Sequence, residues 1–290
     1  MEVKPIELAT RVRFADLLEL TKPRITFLVL ITTLVGFYMG SSNGLRLALL
    51  FHTIAGTALV ASGASALNQY VERDLDAKMV RTRNRPLPDG RLQPNDALVF
   101  SAIVSALGAG YLMFFVNFLT GLIGILTLAG YIFVYTPLKT RTPLCTLIGA
   151  FPGAAPPLMG WTAATGGLDA AAMTLFAILF LWQMPHFFAI AWIFTDDYKR
   201  GGFLTHGSGV STGRQIIFFC CALIPISALP TTLGLTGMTY LVGAIMLGFL
   251  YLGYGFAVAL FRSSTHAQRL LRISVLYLPA LLMLMMFDKV

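Results

Sequence analysis

Nine stretches of this 290-residue chain are each long and apolar enough to cross a membrane, and that pattern limits the fold more than any other feature. They run near residues 25–41, 47–67, 96–116, 118–136, 144–163, 170–193, 215–234, 238–260 and 270–287. A transmembrane helix needs about 20 mostly apolar residues. Lipid satisfies no backbone polar group, so such a run crosses as a helix. Composition agrees: 57% of residues are hydrophobic and 12% charged, and mean hydropathy is +0.76. A soluble domain carries about twice that share of charge. Before the first run lie 24 residues with four acids and two prolines, unlike a signal peptide or an acid-poor transit peptide. The reading is an all-α polytopic membrane protein, a single integral-membrane domain over 1–290 with 1–20 as an N-terminal cytoplasmic segment. The expected location is a bacterial inner membrane.

Orientation follows from the basic residues. All of the 21 Lys and Arg except Arg46 and Lys289 fall in the N-terminal segment, in loops 68–94, 137–143, 194–214 and 261–269, or in the first residues of the spans these feed. The positive-inside rule then predicts a cytoplasmic N-terminus and an external C-terminus. The net charge of +8 is this asymmetry, and no nucleic-acid motif accompanies it. Outer connections are short and nearly chargeless, so the chemistry is expected at the cytoplasmic face.

The first of the two long cytoplasmic loops begins NQYVERDLD, where three of the chain's 13 acids fall within five positions. Asn68, Glu72 and Asp76 recur at i, i+4, i+8, which puts them on one face of a helix. Such oxygen donors suit a hard cation such as Mg2+, held together with substrate phosphates. Arg81, Arg83 and Arg85 follow and can grip those phosphates. The plainer alternative is a solvated charged loop. The second loop holds Asp196 and Asp197, then Lys199 and Arg200. Both loops leave the C-terminal ends of even-numbered spans, where partial negative charge favours a bound cation.

NxxxE/DxxxD followed by RTxxRPLPxGR resembles the first acidic motif of the UbiA superfamily of intramembrane prenyltransferases. VYTPLKTRTP (134–143), IGAFPGAAPPLMGW (148–161), LWQMPHFFAIAW (181–192) and DDYKRGGF (196–203) resemble its heme-modifying branch, the protoheme IX farnesyltransferases. The likeness runs from about Leu20 to Leu204 and is weaker beyond. It implies nine transmembrane helices around a central cavity, with farnesyl diphosphate and heme b as substrates and Mg2+ as cofactor. It also implies heme-handling membrane partners such as a heme A synthase. Departures exist: residue 69 is Gln where many members carry Asp or Asn, residue 72 is Glu, and Arg200 and Gly201 stand where many members repeat an acid. The second loop is therefore expected to hold diphosphate partly through Lys199 or Arg200, which puts a second full Mg2+ site in doubt.

Under that resemblance Glu72 and Asp76 are metal ligands, Asn68 a ligand or orienting group, Asp197 a further catalytic acid, and Arg81 and Arg85 the best diphosphate cations. Lys139 and Arg141 can bind diphosphate or a heme propionate, or simply anchor the span. His186 follows Pro185 inside the sixth run, near Trp182, and an intramembrane ionisable group is a functional candidate. Two readings stay open: His186, with Trp182 beside it, contacts heme, or it bonds to a neighbouring helix. Tyr131, Tyr135 and Trp182 can offer ring faces to an allylic cation. Pro152, Pro156 and Pro157 with Gly149, Gly153 and Gly160 predict a bent fifth span that either faces the porphyrin or packs closely. Trp161 reads as an interface anchor, His52 as structural or interfacial, His206 and His266 as solvated. Cys145, Cys220 and Cys221 have no metal spacing, and Cys220 and Cys221 read as small buried hydrophobes.

The implied reaction is electrophilic alkylation. The C1–O bond of farnesyl diphosphate ionises, a heme vinyl group attacks the farnesyl cation, and water captures the second cation to give a hydroxyethylfarnesyl group. Two rivals are prenylation of an aromatic quinone precursor such as 4-hydroxybenzoate, and solute transport. WQMPHF argues against the first. Acids gathered at one face beside arginines, rather than at the midplane, argue against the second.

Overall fold

Apolar sequence forms helix here almost without interruption, and proline decides where it bends. The computed structural model describes residues 14–42, 44–205, 207 and 209–290; His206 and the first 13 residues of the N-terminal segment lie outside them. A short helix α1 (14–20) precedes α2 (Pro23–Gly40), α3 (Leu47–Asp76), α4 (Pro94–Phe115) and α5 (Phe118–Ala129). A π-helical segment (Gly130–Tyr135) and α6 (Thr136–Leu138) extend α5. Next come α7 (Cys145–Ala154), α8 (Pro156–Thr165), α9 (Ala170–Ile193) and α10 (Thr195–Arg200). Last are α11 (Val210–Thr232), α12 (Met238–Phe261) and α13 (Ser264–Phe287).

Among the described residues, eight stretches are long and apolar enough to span a membrane, with Phe118–Leu138 counted as one. The expected span 144–163 is corrected: it is two ten-residue helices that break at Ala155. Pro156 and Pro157 have no N–H to donate, and Ala155 N–H reaches Pro152 O at 3.4 Å. The expected bend is there, and α7 and α8 together take the place of the ninth pass.

Glycine sets the centre of the bundle. A Cβ on Gly36 would collide with the Pro157 carbonyl, and one on Gly160 with the Thr33 carbonyl, so α2 and α8 cross backbone to backbone. On one side of this crossing α3 packs on α4 and α5. On the other, α9, α11, α12 and α13 enclose a core in which Tyr240, Tyr251 and Tyr277 are buried. Trp161 is buried in that same core rather than anchored at an interface, and Cys221 is exposed on α11 while Cys220 is buried.

The two basic residues at the end away from the long loops cap helices. Arg46 Nη2 donates to Ala164 O at 2.7 Å, and Lys289 Nζ donates to Tyr38 O and Ser41 O, each at 2.6 Å. Both meet the carbonyl-rich C-terminal ends of α8 and α2.

Candidate active site

The site is built on the last turns of α3. At helical spacing Asn68, Glu72 and Asp76 project from one face, and only 2%, 4% and 1% of their surfaces remain exposed. Burial of carboxylates demands partners, and each has one from a different element. Lys139 Nζ, just beyond α6, lies 2.6 Å from Glu72 Oε1. Arg85 Nη1 lies 2.6 Å from Asp76 Oδ2. Lys22 Nζ donates to Asn68 Oδ1 at 3.3 Å, and Asn68 Nδ2 donates to Thr136 Oγ1 at 3.2 Å.

Lys22 was not legible as a site residue. It precedes Pro23 with φ 48° and ψ 64°, a left-handed conformation unusual for a residue other than glycine and disfavoured before proline. Backbone strain of this kind persists where the surroundings impose it, often at functional sites. Burial, then the nearby Arg85 and Lys139, push the Lys22 ammonium down to about 7. Lys139 moves the other way: burial opposes its charge, but Tyr135 and Glu72 hold it above the ordinary lysine range.

The wider turn of the π segment is closed by Thr136, whose hydroxyl donates to Tyr131 O at 2.8 Å. π-bulges occur often at functional sites. Here the segment brings Tyr131 and Tyr135 to the boundary between two cavities. One, of about 280 Å3, is the charged one, lined by Lys22, Asn68, Glu72, Asp76, Arg81, Arg85 and Lys139. The other, of about 290 Å3, is apolar and runs between α2, α3, α7 and α8. Ile25, Tyr131, Tyr135 and Phe187 line both. Phe187 carried no signal in the sequence beyond its place beside His186.

The second acidic loop behaves differently from expectation. Asp197 does not line the charged cavity. Its carboxylate accepts Val80 N–H at 3.1 Å and Arg81 N–H at 3.4 Å, and pairs with Arg200. It thereby fastens α10 to the 77–93 loop. Arg200, against the opposing effect of burial and with help from the two amides, holds the Asp197 carboxyl below the usual carboxylate range. Asp196 and Lys199 are exposed and line neither cavity. Arg81 stays at the cavity with its guanidinium over the Phe194 and Tyr198 rings, 5.1 and 5.6 Å from their centroids. Arg83 and Arg141 line neither cavity.

His186 and Trp182 also sit elsewhere. His186 Nδ1 shares a 2.7 Å hydrogen bond with Ser274 Oγ of α13, Trp182 Nε1 donates to Ser274 O at 2.9 Å, and the two rings stack at 5.2 Å. Neither lines the described cavities, so the bond to a neighbouring helix is the reading that the geometry favours. His52 is structural, bonded to Tyr111 OH at 2.8 Å. His266 is not a loop histidine: it lies in the first turn of α13, bonded to Ser263 and stacked on Phe261.

The donor set fits Mg2+ in chemistry: two carboxylates and an amide oxygen on one face, with oxygen-only donors that suit a hard cation sharing substrate phosphates. Among the described residues no group of three or more His, Cys, Asp and Glu could hold a metal unaided. Four cations, Lys22, Arg81, Arg85 and Lys139, surround this set at the cavity wall. The arrangement can hold a metal–diphosphate head at one end and a hydrocarbon chain at the other, with tyrosine rings where the two meet.

Comparison with known proteins points the same way. The profile of the UbiA prenyltransferase family matches residues 29–278. The chain is 48% identical over 287 residues to the protoheme IX farnesyltransferase of Solibacter usitatus (strain Ellin6076), covering 94% of this chain and 98% of that protein. Among solved structures, a digeranylgeranylglyceryl phosphate synthase superposes with a TM-score of 0.81 at 18% identity, covering 95% of this chain and 98% of the other. A UbiA homolog from Archaeoglobus fulgidus bound to GPP and Mg2+ superposes with a TM-score of 0.59 at 16% identity, covering 93% and 99%. These two likenesses speak for the fold alone.

Proposed function

We propose that this chain, which belongs to the UbiA prenyltransferase family, transfers the farnesyl group of farnesyl diphosphate to a vinyl group of heme b, giving heme O and diphosphate. The observation that carries the prenyl-diphosphate half of this reading is that a charged cavity and an apolar one lie side by side and share Tyr131 and Tyr135 in their linings. The choice of heme as acceptor draws on the 48% identity to a protoheme IX farnesyltransferase.

Lys22, Arg81, Arg85 and Lys139 take the diphosphate oxygens, and Asn68, Glu72 and Asp76 hold Mg2+ beside them. The ion supplies charge neutralisation of the leaving diphosphate. Preorganised cations do the same work in a site with little water, where electrostatics is strong. The C1–O bond then breaks with its electron pair leaving on diphosphate. Tyr131 and Tyr135 present ring faces to the allylic cation at the junction. The heme vinyl group attacks C1, one water adds to the resulting cation beside the porphyrin and loses a proton, and the hydroxyethylfarnesyl group results.

Asp197, away from the charged cavity, serves by holding the 77–93 loop and with it Arg81. His186 and Trp182 fasten α9 to α13. The reading places the site at the cytoplasmic face of a bacterial inner membrane, supported by the distribution of Lys and Arg, and has a membrane enzyme such as a heme A synthase receive the product.

The experiment is direct. Purified protein is incubated with heme b, farnesyl diphosphate and Mg2+, and porphyrin products are weighed by mass spectrometry. Heme carrying one added farnesyl and one added water is expected. Absence of that product together with prenylation of 4-hydroxybenzoate would overturn the acceptor.

A further inference from the structure

We infer that the floor of the apolar cavity measures the prenyl chain, and that Val60 and Met159 are the residues that set its length. The inference rests on the reading above, in which this cavity receives the chain.

The geometry is that of a rod with a stop. Helix α3 carries both the acid face and one wall of the apolar cavity, so the distance from head to floor is built into one rigid element. At about 1.5 Å per residue, Val60 lies about 12 Å below Asn68 and about 18 Å below Glu72. That depth is on the order of the extended main chain of a C15 group. Descending the wall from Asn68, the cavity meets only Ser65, Ala64 and Ala61 before Val60, and its last α3 residue is Thr57, about one turn further on. The opposite wall on α7 is lined by Gly149 and Gly153, with Pro152 its one larger side chain. A Cβ on Gly149 would strike the Tyr135 ring, which lines the same cavity, and one on Gly153 would strike Gln183 of α9, which does not, so Gly149 keeps the passage clear while Gly153 lets α7 pack closely on α9.

Large side chains then close the way. Val60 is 3% exposed and Met159 2%, and both rest on Leu112, which is fully buried. Val116 and Ile123 pack against this cluster. The backing is tight: a Cβ on Gly124 would lie 3.2 Å from Leu112, 3.5 Å from the tip of Met159 and 3.7 Å from Val60. A well-packed plug of this thickness does not yield to an extra isoprene unit without moving several neighbours. Removing the Met159 side chain beyond Cβ leaves space between cavity and Leu112. Adding bulk at Ala61, about 1.5 Å above Val60 along α3, narrows the cavity just above its floor.

The test is a competition. Wild type, Met159→Ala and Ala61→Leu are each given heme b, Mg2+ and equal amounts of geranyl, farnesyl and geranylgeranyl diphosphate, and the product masses are counted. Thermal unfolding in detergent reports whether each variant folds. Met159→Ala is expected to raise the C20-to-C15 product ratio about ten-fold, and Ala61→Leu to raise the C10-to-C15 ratio by a similar factor, the scale on which a pocket discriminates small changes in an apolar group. The two variants act in opposite directions, so one that folds is enough. The inference is overturned if wild type takes C20 as readily as C15, or if a folded variant keeps the wild-type ratio. If wild type prenylates an aromatic acid instead of heme, the acceptor reading fails, and the same ratios on that acceptor still decide the floor.

Discussion

Asp197→Ala should release the 77–93 loop without unfolding the protein. The carboxylate accepts Val80 N–H at 3.1 Å and Arg81 N–H at 3.4 Å, while its Arg200 partner is half exposed. A hydrogen bond to a charged group contributes about 1.5–3 kcal/mol. The second amide lies near the limit of hydrogen-bond distance, and an exposed ion pair adds little. The clasp is therefore held by about 2–3 kcal/mol. At 1.4 kcal/mol per factor of ten, its loss raises the open fraction about 30- to 150-fold. Hydrogen exchange at the Val80 and Arg81 amides reads that factor directly. In turnover assays the KM for farnesyl diphosphate should rise, because Arg81 is no longer held at the cavity, and the Mg2+ requirement should stay put. The pH dependence has a definite sign. A carboxyl depressed in the folded state stabilises above its unfolded value of about 4, and that contribution disappears as pH falls through the lower folded value. Protection of the two amides by the clasp should thus be level above about pH 4 and fall below it. Unchanged exchange at both amides with a shifted Mg2+ dependence would refute this account and make Asp197 a metal ligand.

Three further outcomes are expected. Asp76→Asn should cut kcat/KM at least about a hundred-fold, roughly 2.7 kcal/mol of transition-state stabilisation, in a protein that still folds; near-normal turnover at limiting Mg2+ would remove Asp76 from the metal face. Lys22→Met should raise the KM for farnesyl diphosphate about ten-fold with little change in kcat, since a point charge on phosphate is lost, and an unaltered KM would leave Lys22 as a mere partner of Asn68. A double-mutant cycle on His186→Ala and Ser274→Ala should show a coupling of about 1 kcal/mol in unfolding, with heme affinity retained. A weakened heme titration with an altered Soret band would instead return His186 to the acceptor site.

The acid face was legible because one helix carries it: spacing at i, i+4, i+8 is a statement about a single element and needs no tertiary knowledge. The broken fifth span was equally open to reading, since Pro156 and Pro157 cannot donate. What stayed hidden depended on which way a side chain turns. Pro185 lies inside α9, which runs unbroken from Ala170 to Ile193; a helix advances about 100° per residue, and that one step separates Phe187 in the cavity from His186, which bonds to Ser274 of α13. Asp197 has the residue type of a ligand, yet its oxygens meet backbone amides contributed from more than 100 positions earlier, which no local pattern encodes. Lys22 lies 46 residues before Asn68 and joins the site only because α2 begins beside the end of α3. A lysine immediately before a proline at the head of an apolar run was the available hint.

The ion pairs of the acid face make binding there a change of partners. Glu72 is matched with Lys139 and Asp76 with Arg85, each at 2.6 Å. A dication arriving by itself draws the carboxylates off and strands two sheltered cations, and a diphosphate arriving by itself strands two sheltered carboxylates. Breaking one buried pair in this way costs about 3–5 kcal/mol. Metal and diphosphate together leave no charge unmatched, so each should tighten the other's binding, and thermodynamic reciprocity requires the factor to be the same in both directions. Titrating inorganic diphosphate with and without Mg2+, and Mg2+ with and without diphosphate, measures that factor twice. Equal affinities in the presence and absence of the second ligand would mean that the pairs open at no cost.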